Sequence, residues 1–373
     1  MGLTGGCGNA GPTAPVATYV SRLFTPLTLR GVTFRNRVFV APMCMYSSVD
    51  GLPTDWHLVH LGSFARGGAG LVIAEATAVT PEGRISPADA GLWNDEQAAA
   101  YERITAFVAG QGGASGIQLA HAGRKGSTRP PWEGRGHVEP DDGGWQTVAP
   151  SPIPYGDLPA PKELSVDEIA ALVRAFADAA RRADAAGFDV VEVHGAHGYL
   201  VHEFLSPLAN ERADEYGGDL AGRSRFLLEV VDAVRAVWPE RKPLFVRLSA
   251  TDWAEGGWTV DDTVEVSRRL RDHGVDLVDV SSGGCVPWQR EIAGPGYQVP
   301  FARAVRAGSG VATGAVGLIT EPLQAEQVLV DEAADAVLLA RELLRDPHWT
   351  LRAAHVLDAE VDWPPQYARY RWR

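Results

Sequence analysis

Hydrophobic positions along this chain fall into short apolar runs separated by longer stretches of helical period. After residue 22, runs of β type occupy residues 37–41, 70–74, 116–119, 190–194, 244–248, 277–281, 310–312 and 336–339. Most are bounded by Gly, Asp or Pro, the pattern of strands buried on both faces. Between them, residues 95–111, 165–186, 223–237, 260–273, 321–331 and 342–357 carry the helical spacing. Ser165 with Glu168 forms a capping-box signature that opens the longest of these, and Gly187 closes it. Eight strands, each followed by a helix or loop, define a parallel sheet. No break in composition divides the chain. The pattern predicts an α/β protein with one (β/α)8 TIM-barrel domain over residues 23–373, a flexible N-terminal tail over residues 1–22 and an extended C-terminal tail. An open doubly wound sheet is the alternative. Residues 126–161, rich in Pro, Gly and charge, follow the third strand and read as a long loop over the barrel mouth, the end where barrel enzymes do their chemistry.

Charge and cysteine content narrow the function classes. The 373-residue chain has a formal net charge of −13, which repels nucleic acid and anionic membranes at long range. Its three cysteines, Cys7, Cys44 and Cys285, form no CxxC pair, which argues against iron–sulfur and structural zinc sites. Sparse, odd-numbered thiols fit a reduced compartment, so a cytoplasmic protein is expected. No signal peptide and no apolar run of membrane-spanning length is visible. Gly6, Gly8 and Gly11 match GxGxxG, but without a preceding strand or a following helix the match carries no dinucleotide-binding meaning.

Candidate chemistry gathers just after the strand ends, on the catalytic rim of a barrel. The glycine-bearing turn after strand 7, with Gly314 and Gly317, and the Ala340-Arg341 turn after strand 8 fit a phosphate site. Arg341 can add a bidentate contact. His194 and His197 admit three readings: a metal pair with Glu192, two satisfied core histidines, or a donor pair that polarises a substrate oxygen. Beside them stands Tyr199, whose phenol can deliver a proton at neutral pH. Gln118 offers an amide donor and acceptor suited to a flavin pyrimidine edge. Arg247 on a buried strand needs an anionic partner, which a reduced flavin would supply. Cys44 lies between two methionines after strand 1, as a small core residue or a flavin neighbour.

Taken together, the strings Leu23-Phe24-Thr25-Pro26-Leu27, Arg35-Asn36-Arg37, Ala41-Pro42-Met43-Cys44-Met45-Tyr46, Gln118 through Lys125, His194-Gly195-Ala196-His197-Gly198-Tyr199, Asn210 through Gly218 and Ala340-Arg341-Glu342 make the chain resemble the Old Yellow Enzyme family. The likeness is to its thermophilic-like bacterial class, which is related to the xenobiotic reductases. It runs from about Leu23 to the C-terminus. This resemblance implies FMN across the barrel mouth, held by Ala41, Pro42, Met43, Cys44, Ala76, Gln118, Arg247 and Ala340-Arg341. It implies that His194 and His197 bind the substrate oxygen, that Tyr199 gives the proton and that Tyr46 bonds the substrate from the other side. It also implies that Cys44 tunes the flavin potential. Ala340 departs from the family, which normally has Gly before the phosphate-binding Arg.

The expected activity is that of an NADPH dehydrogenase and ene-reductase. Hydride from flavin N5 and a proton from Tyr199 would saturate the activated C=C bond of an α,β-unsaturated carbonyl or nitro compound. No metal is expected. A dienoyl-CoA-type reductase and a non-catalytic flavin- or phosphate-binding barrel are the alternatives. The tail from Gln366 to Arg373 is aromatic and basic, and the resemblance implies that Arg369 lines the substrate pocket of a neighbouring subunit in a homodimer or dimer of dimers.

Overall fold

Alternation within eight short strands builds the centre of the molecule, because residues two apart share a face. The computed structural model describes residues 20–134 and 136–372. The strands are β1 (Val38–Val40), β2 (Leu71–Ala78), β3 (Ala114–Ala120), β4 (Val190–Gly195), β5 (Leu244–Ser249), β6 (Leu277–Ser281), β7 (Ala312–Ala315) and β8 (Ala336–Leu339). They pair in parallel, in sequence order, and β8 closes on β1 in a complete barrel. Closure removes every open edge.

Inward positions at the lower end fill the lumen with Phe39, Leu71, Ile73, Val190, Phe245, Leu277, Ala336 and Leu338. An antiparallel hairpin, Leu27–Leu29 with Val32–Phe34, plugs that end. Its Phe34 ring lies 4.9 Å from Phe39 and 6.4 Å from Phe245. Fully burying each such ring contributes about 1.5–3 kcal/mol. A second apolar cluster lies between the outer strand faces and the helices α1 (Asp55–Arg66), α2 (Asp95–Gly110), α3 (Val166–Ala185), α4 (Leu200–Leu205), α5 (Leu220–Arg235), α6 (Val260–Asp272), α7 (Val299–Ser309), α8 (Pro322–Val330), α9 (Arg341–Arg345) and α10 (Trp349–Val356). The capping box of Ser165 and Glu168 opens α3 as its sequence predicts.

Several local expectations are corrected. Strand 7 runs Ala312–Ala315 instead of 310–312, because Gly310 adopts φ +73 and caps α7. That shift puts Gly314 inside a strand, where a Cβ would meet Leu338 Cδ1 at 2.2 Å. Gly314 is therefore a packing glycine of the barrel wall, near the end of the strand that leads into the Gly317 turn. The helix expected over 342–357 is two helices, α9 and α10, because Pro347 cannot continue the first. Helices α1, α4 and α7 were not foreseen. The loop over residues 126–161 contains two short 3-10 turns and a two-residue strand, Val148–Ala149, paired with Lys162–Glu163. Residues 1–19, with Cys7 and the Gly6-Gly8-Gly11 motif, lie outside the described residues. Ser21 is already buried, donating to Glu326 Oε2 at 2.7 Å, so the docked chain begins before Leu23. Among the described residues, no helix is long and apolar enough to cross a membrane.

Candidate active site

The upper halves of the strands turn polar on the same inward positions that are apolar below. On β4 the sequence Val190, Glu192, His194 faces inward; on β5, Phe245, Arg247, Ser249; on β6, Leu277, Asp279, Ser281. Gln118 joins them from β3, its Nε2 donating to Glu192 Oε1 at 2.8 Å. Arg247 pairs with Asp279, Nε to Oδ2 at 3.0 Å. The rest of its guanidinium fork, and the Gln118 amide oxygen, have no partner among the described residues although both side chains are buried. A planar cation and a free amide oxygen beneath the mouth suit a flat, hydrogen-bonding, electron-accepting ring.

The segment after β1 is held by a relay the sequence does not announce. β2 shifts register between Ala74 and Ala76, and the extra residue, Glu75, swings to the segment. Its Oε2 accepts from the Met45 N–H at 2.8 Å, and its Oε1 lies 2.9 Å from His57 Nε2. Thr54 N–H donates to His57 Nδ1 at 2.9 Å, so Nε2 carries the imidazole proton toward Glu75. This anchors Ala41, Pro42, Met43 and Cys44 over the barrel. Burial, and then the Asp89 and Glu75 carboxyl groups, push the Cys44 thiol well above its ordinary range, so it is a neutral thiol. Tyr46 follows at φ +48, with its ring edge-on to Trp132 of the long loop at 5.9 Å.

The β4 loop brings His194, His197 and Tyr199 together. The His194 ring lies 5.2 Å from His197 and 5.1 Å from Tyr199. Ala196 N–H donates to His194 Nδ1 at 3.3 Å, which leaves Nε2 as the N–H donor, with no partner among the described residues. His197 is fixed by Ser249 Oγ on its backbone N–H at 3.0 Å and by Ser281 Oγ on its Nε2 at 2.7 Å. Burial, and then the Arg247 charge, hold both imidazoles well below the usual histidine range, so both are neutral at physiological pH. Burial raises the Tyr199 phenol, which keeps its proton. Gly198 sits at φ +73, where a Cβ would lie 2.1 Å from Gly284 O, so only glycine allows the close approach of these two loops. His202 Nδ1 accepts from the Gly198 N–H at 2.9 Å, and Asp252 lies 3.0 Å from the far nitrogen of His202. Lys125 ties the loops from above, donating to His197 O at 2.8 Å and Gly284 O at 3.0 Å, with Nζ 5.0 Å from the centre of the Tyr199 ring.

Among the described residues, His194 and His197 belong to no group of three possible metal ligands, and Glu192 Oε1 accepts from Gln118. The grouping of possible ligand atoms among the described residues is His202, Asp252 and Cys285. The His202 and Asp252 atoms serve the loop-positioning bonds just described and those from Ser206 and Trp258 to Asp252.

On the far side, Gly317 (φ +117) lies in the turn after β7 beside Gln298 and Tyr297, and Arg341 opens α9 exposed and without an ion pair among the described residues. The Arg341 charge acts on the Tyr297 phenol, so the free cation and the glycine turn share one corner of the mouth. Ala340, where the family normally has glycine, adopts φ −115, outside the left-handed region that favours glycine. Arg369 is exposed on a short turn, Pro365–Tyr370. The tail around it packs outward: Arg66 lies over the Tyr367 ring at 5.6 Å, and Trp372 stacks on His355 at 5.5 Å. Sequence reasoning missed the working roles of Glu75, His57, Ser249, Asp279, Ser281 and Lys125. Strand parity with Arg247 was a usable signal for Ser249, but the bulge that frees Glu75 had none.

Such a mouth, with unused guanidinium N–H groups and an amide oxygen on the floor, a cation beside a glycine turn and neutral imidazoles on the rim, defines a flavin-binding oxidoreductase barrel. Residues 22–360 match the NADH:flavin oxidoreductase / NADH oxidase family. The chain is 50% identical to an NADPH dehydrogenase of Geobacillus thermodenitrificans over 354 residues, 94% of this chain and 98% of that one. It is 47% identical to an NADPH dehydrogenase of Bacillus cytotoxicus over 352 residues, 94% and 96%. Among solved structures, morphinone reductase matches with a TM-score of 0.77 at 29% identity, covering 94% of each chain. A 2-naphthoyl-CoA reductase matches with a TM-score of 0.81 at 24% identity over 90% of this chain and 52% of that one, a likeness of fold. The chain belongs to the NADH:flavin oxidoreductase / NADH oxidase family, that of Old Yellow Enzyme, and is an FMN-dependent oxidoreductase.

Proposed function

We propose that this enzyme oxidises NADPH and reduces the activated C=C bond of α,β-unsaturated carbonyl or nitro compounds, as a cytoplasmic protein. The observation that carries the reading is the trio of His194, His197 and Tyr199: two neutral donors beside a protonated phenol. Ala41, Pro42, Met43, Cys44, Ala76, Gln118 and Arg247 would hold the FMN ring, with Gly317, Ala340 and Arg341 at its phosphate. When bound, FMN supplies the hydride acceptor and donor at N5. His194 and His197 bind the substrate oxygen and stabilise the charge that develops on it. Tyr199 protonates the α-carbon, and Tyr46 grips the substrate from the opposite wall. One site then serves both NADPH and the enone, in keeping with the relatives' name, NADPH dehydrogenase. Anaerobic NADPH should bleach the flavin spectrum, and cyclohexenone should restore it. A bleached flavin that no enone, imide or nitroalkene reoxidises rejects the ene-reductase reading.

We further propose a homodimer, or dimer of dimers, in which Arg369 lines the neighbouring subunit's substrate pocket. In support, Arg369 has no partner among the described residues, and its tail contacts Arg66, His348 and His355 rather than the mouth. Deleting residues 367–373 should raise the Michaelis constant for the enone and loosen the dimer, with FMN retained. Unchanged sedimentation and kinetics would overturn the shared site.

A further inference from the structure

Below the histidine rim the barrel encloses Gln118, Glu192, Arg247 and Asp279. Glu192 and Asp279 are both 0% exposed and Arg247 is 7% exposed. This layer sets two carboxyl groups against one guanidinium. Asp279 has that cation, at 3.0 Å. Glu192 has only the neutral Gln118 amide on Oε1, and its Oε2 is buried without a partner. The groups facing Glu192 are Gln118 from β3, Arg247 from β5 and Asp279 from β6, with neutral His194 next above it on β4. One cation cannot neutralise two buried anions, and an uncompensated charge at such depth is strongly disfavoured.

We propose that at neutral pH Glu192 and Asp279 hold a single proton between them, resident on Glu192 while the bound FMN is oxidised, and that protonation of this pair couples to flavin reduction. Burial, then the Asp279 charge, raises the Glu192 carboxyl to about 8 against the opposing pull of Arg247. With Glu192 neutral, Arg247 and Asp279 cancel, and the layer presents no net charge to the ring. With Glu192 ionised the layer is negative and opposes the anionic reduced ring. The balance follows. Below about 8, two electrons and one proton enter the ring, and Glu192 keeps its own proton. Above that, Glu192 starts ionised and takes up a second proton from solvent as the ring becomes negative, so two electrons bring in two protons. The inference rests on the reading that FMN lies over Arg247.

The test is the midpoint potential of the FMN-loaded enzyme against pH. In wild type its slope should double above about 8, and in Glu192→Gln the single-proton slope should persist throughout. Superimposed curves overturn the coupling. The infrared difference spectrum between the oxidised holoenzymes, wild type minus Glu192→Gln, should show a protonated carboxyl C=O band that disappears as the pH passes about 8. Absence of that band at neutral pH overturns the shared proton. Asp279→Asn serves where Glu192→Gln does not fold. With one acid left for Arg247, no proton is needed, and a Glu192 carboxyl band that persists at neutral pH overturns the proposal.

Discussion

Replacing His194 and His197 together by alanine is expected to lower enone turnover by at least roughly 10²–10³-fold, the usual effect of removing one oxyanion donor. The two rings lie 5.2 Å apart and are held neutral by burial and by Arg247, so they act through hydrogen bonds rather than a charge. Neutral donors bind a carbonyl oxygen without protonating it and strengthen as charge builds on the oxygen, which places their effect in the transition state. The loss should therefore fall on kcat as well as on KM. The same variant should lose the long-wavelength charge-transfer band that phenol ligands give with oxidised flavin, since that band needs a phenolate held over the ring. FMN content checks that the barrel has folded. An intact band with undiminished turnover would make these residues structural.

Tyr199→Phe is expected to slow reoxidation of the reduced enzyme by an enone roughly 10²–10⁴-fold, the range for loss of a general acid. Reduction by NADPH should be nearly unchanged, because hydride transfer to N5 takes no proton from Tyr199. The substitution removes one oxygen and keeps the ring that packs 5.1 Å from His194 and under Lys125. Burial raises the phenol well above its ordinary range, so it remains protonated across the working pH. Stopped-flow traces of the two half-reactions separate the outcomes. Equal slowing of both would show that Tyr199 shapes the pocket and transfers no proton.

Most of the barrel was legible because its information is local. Seven of the eight strands fall where short apolar runs lie between turn residues, and α3 starts where its capping box says it should. The seventh strand was displaced because Gly310 and Gly314 look alike in sequence, while one caps a helix at positive φ and the other makes room for Leu338. Helix α4 was hidden by its six-residue length, too short for a period to register. The clustering of His194, His197 and Tyr199 was readable from a single motif, since all three ride on one strand end.

The sequence by itself determined the layered barrel, its polar upper rim and the identity of the groups with chemistry to offer. It did so because strand periodicity and turn chemistry are written within a few residues of one another. Only the tertiary structure decided the state of those groups. The Glu75 bonds to Met45 and His57, the Ser281 bond to His197 and the Arg247–Asp279 pair each join residues from different elements of the barrel. Protonation depends on burial and on neighbours across the barrel, and those distances exist only once the sheet has closed.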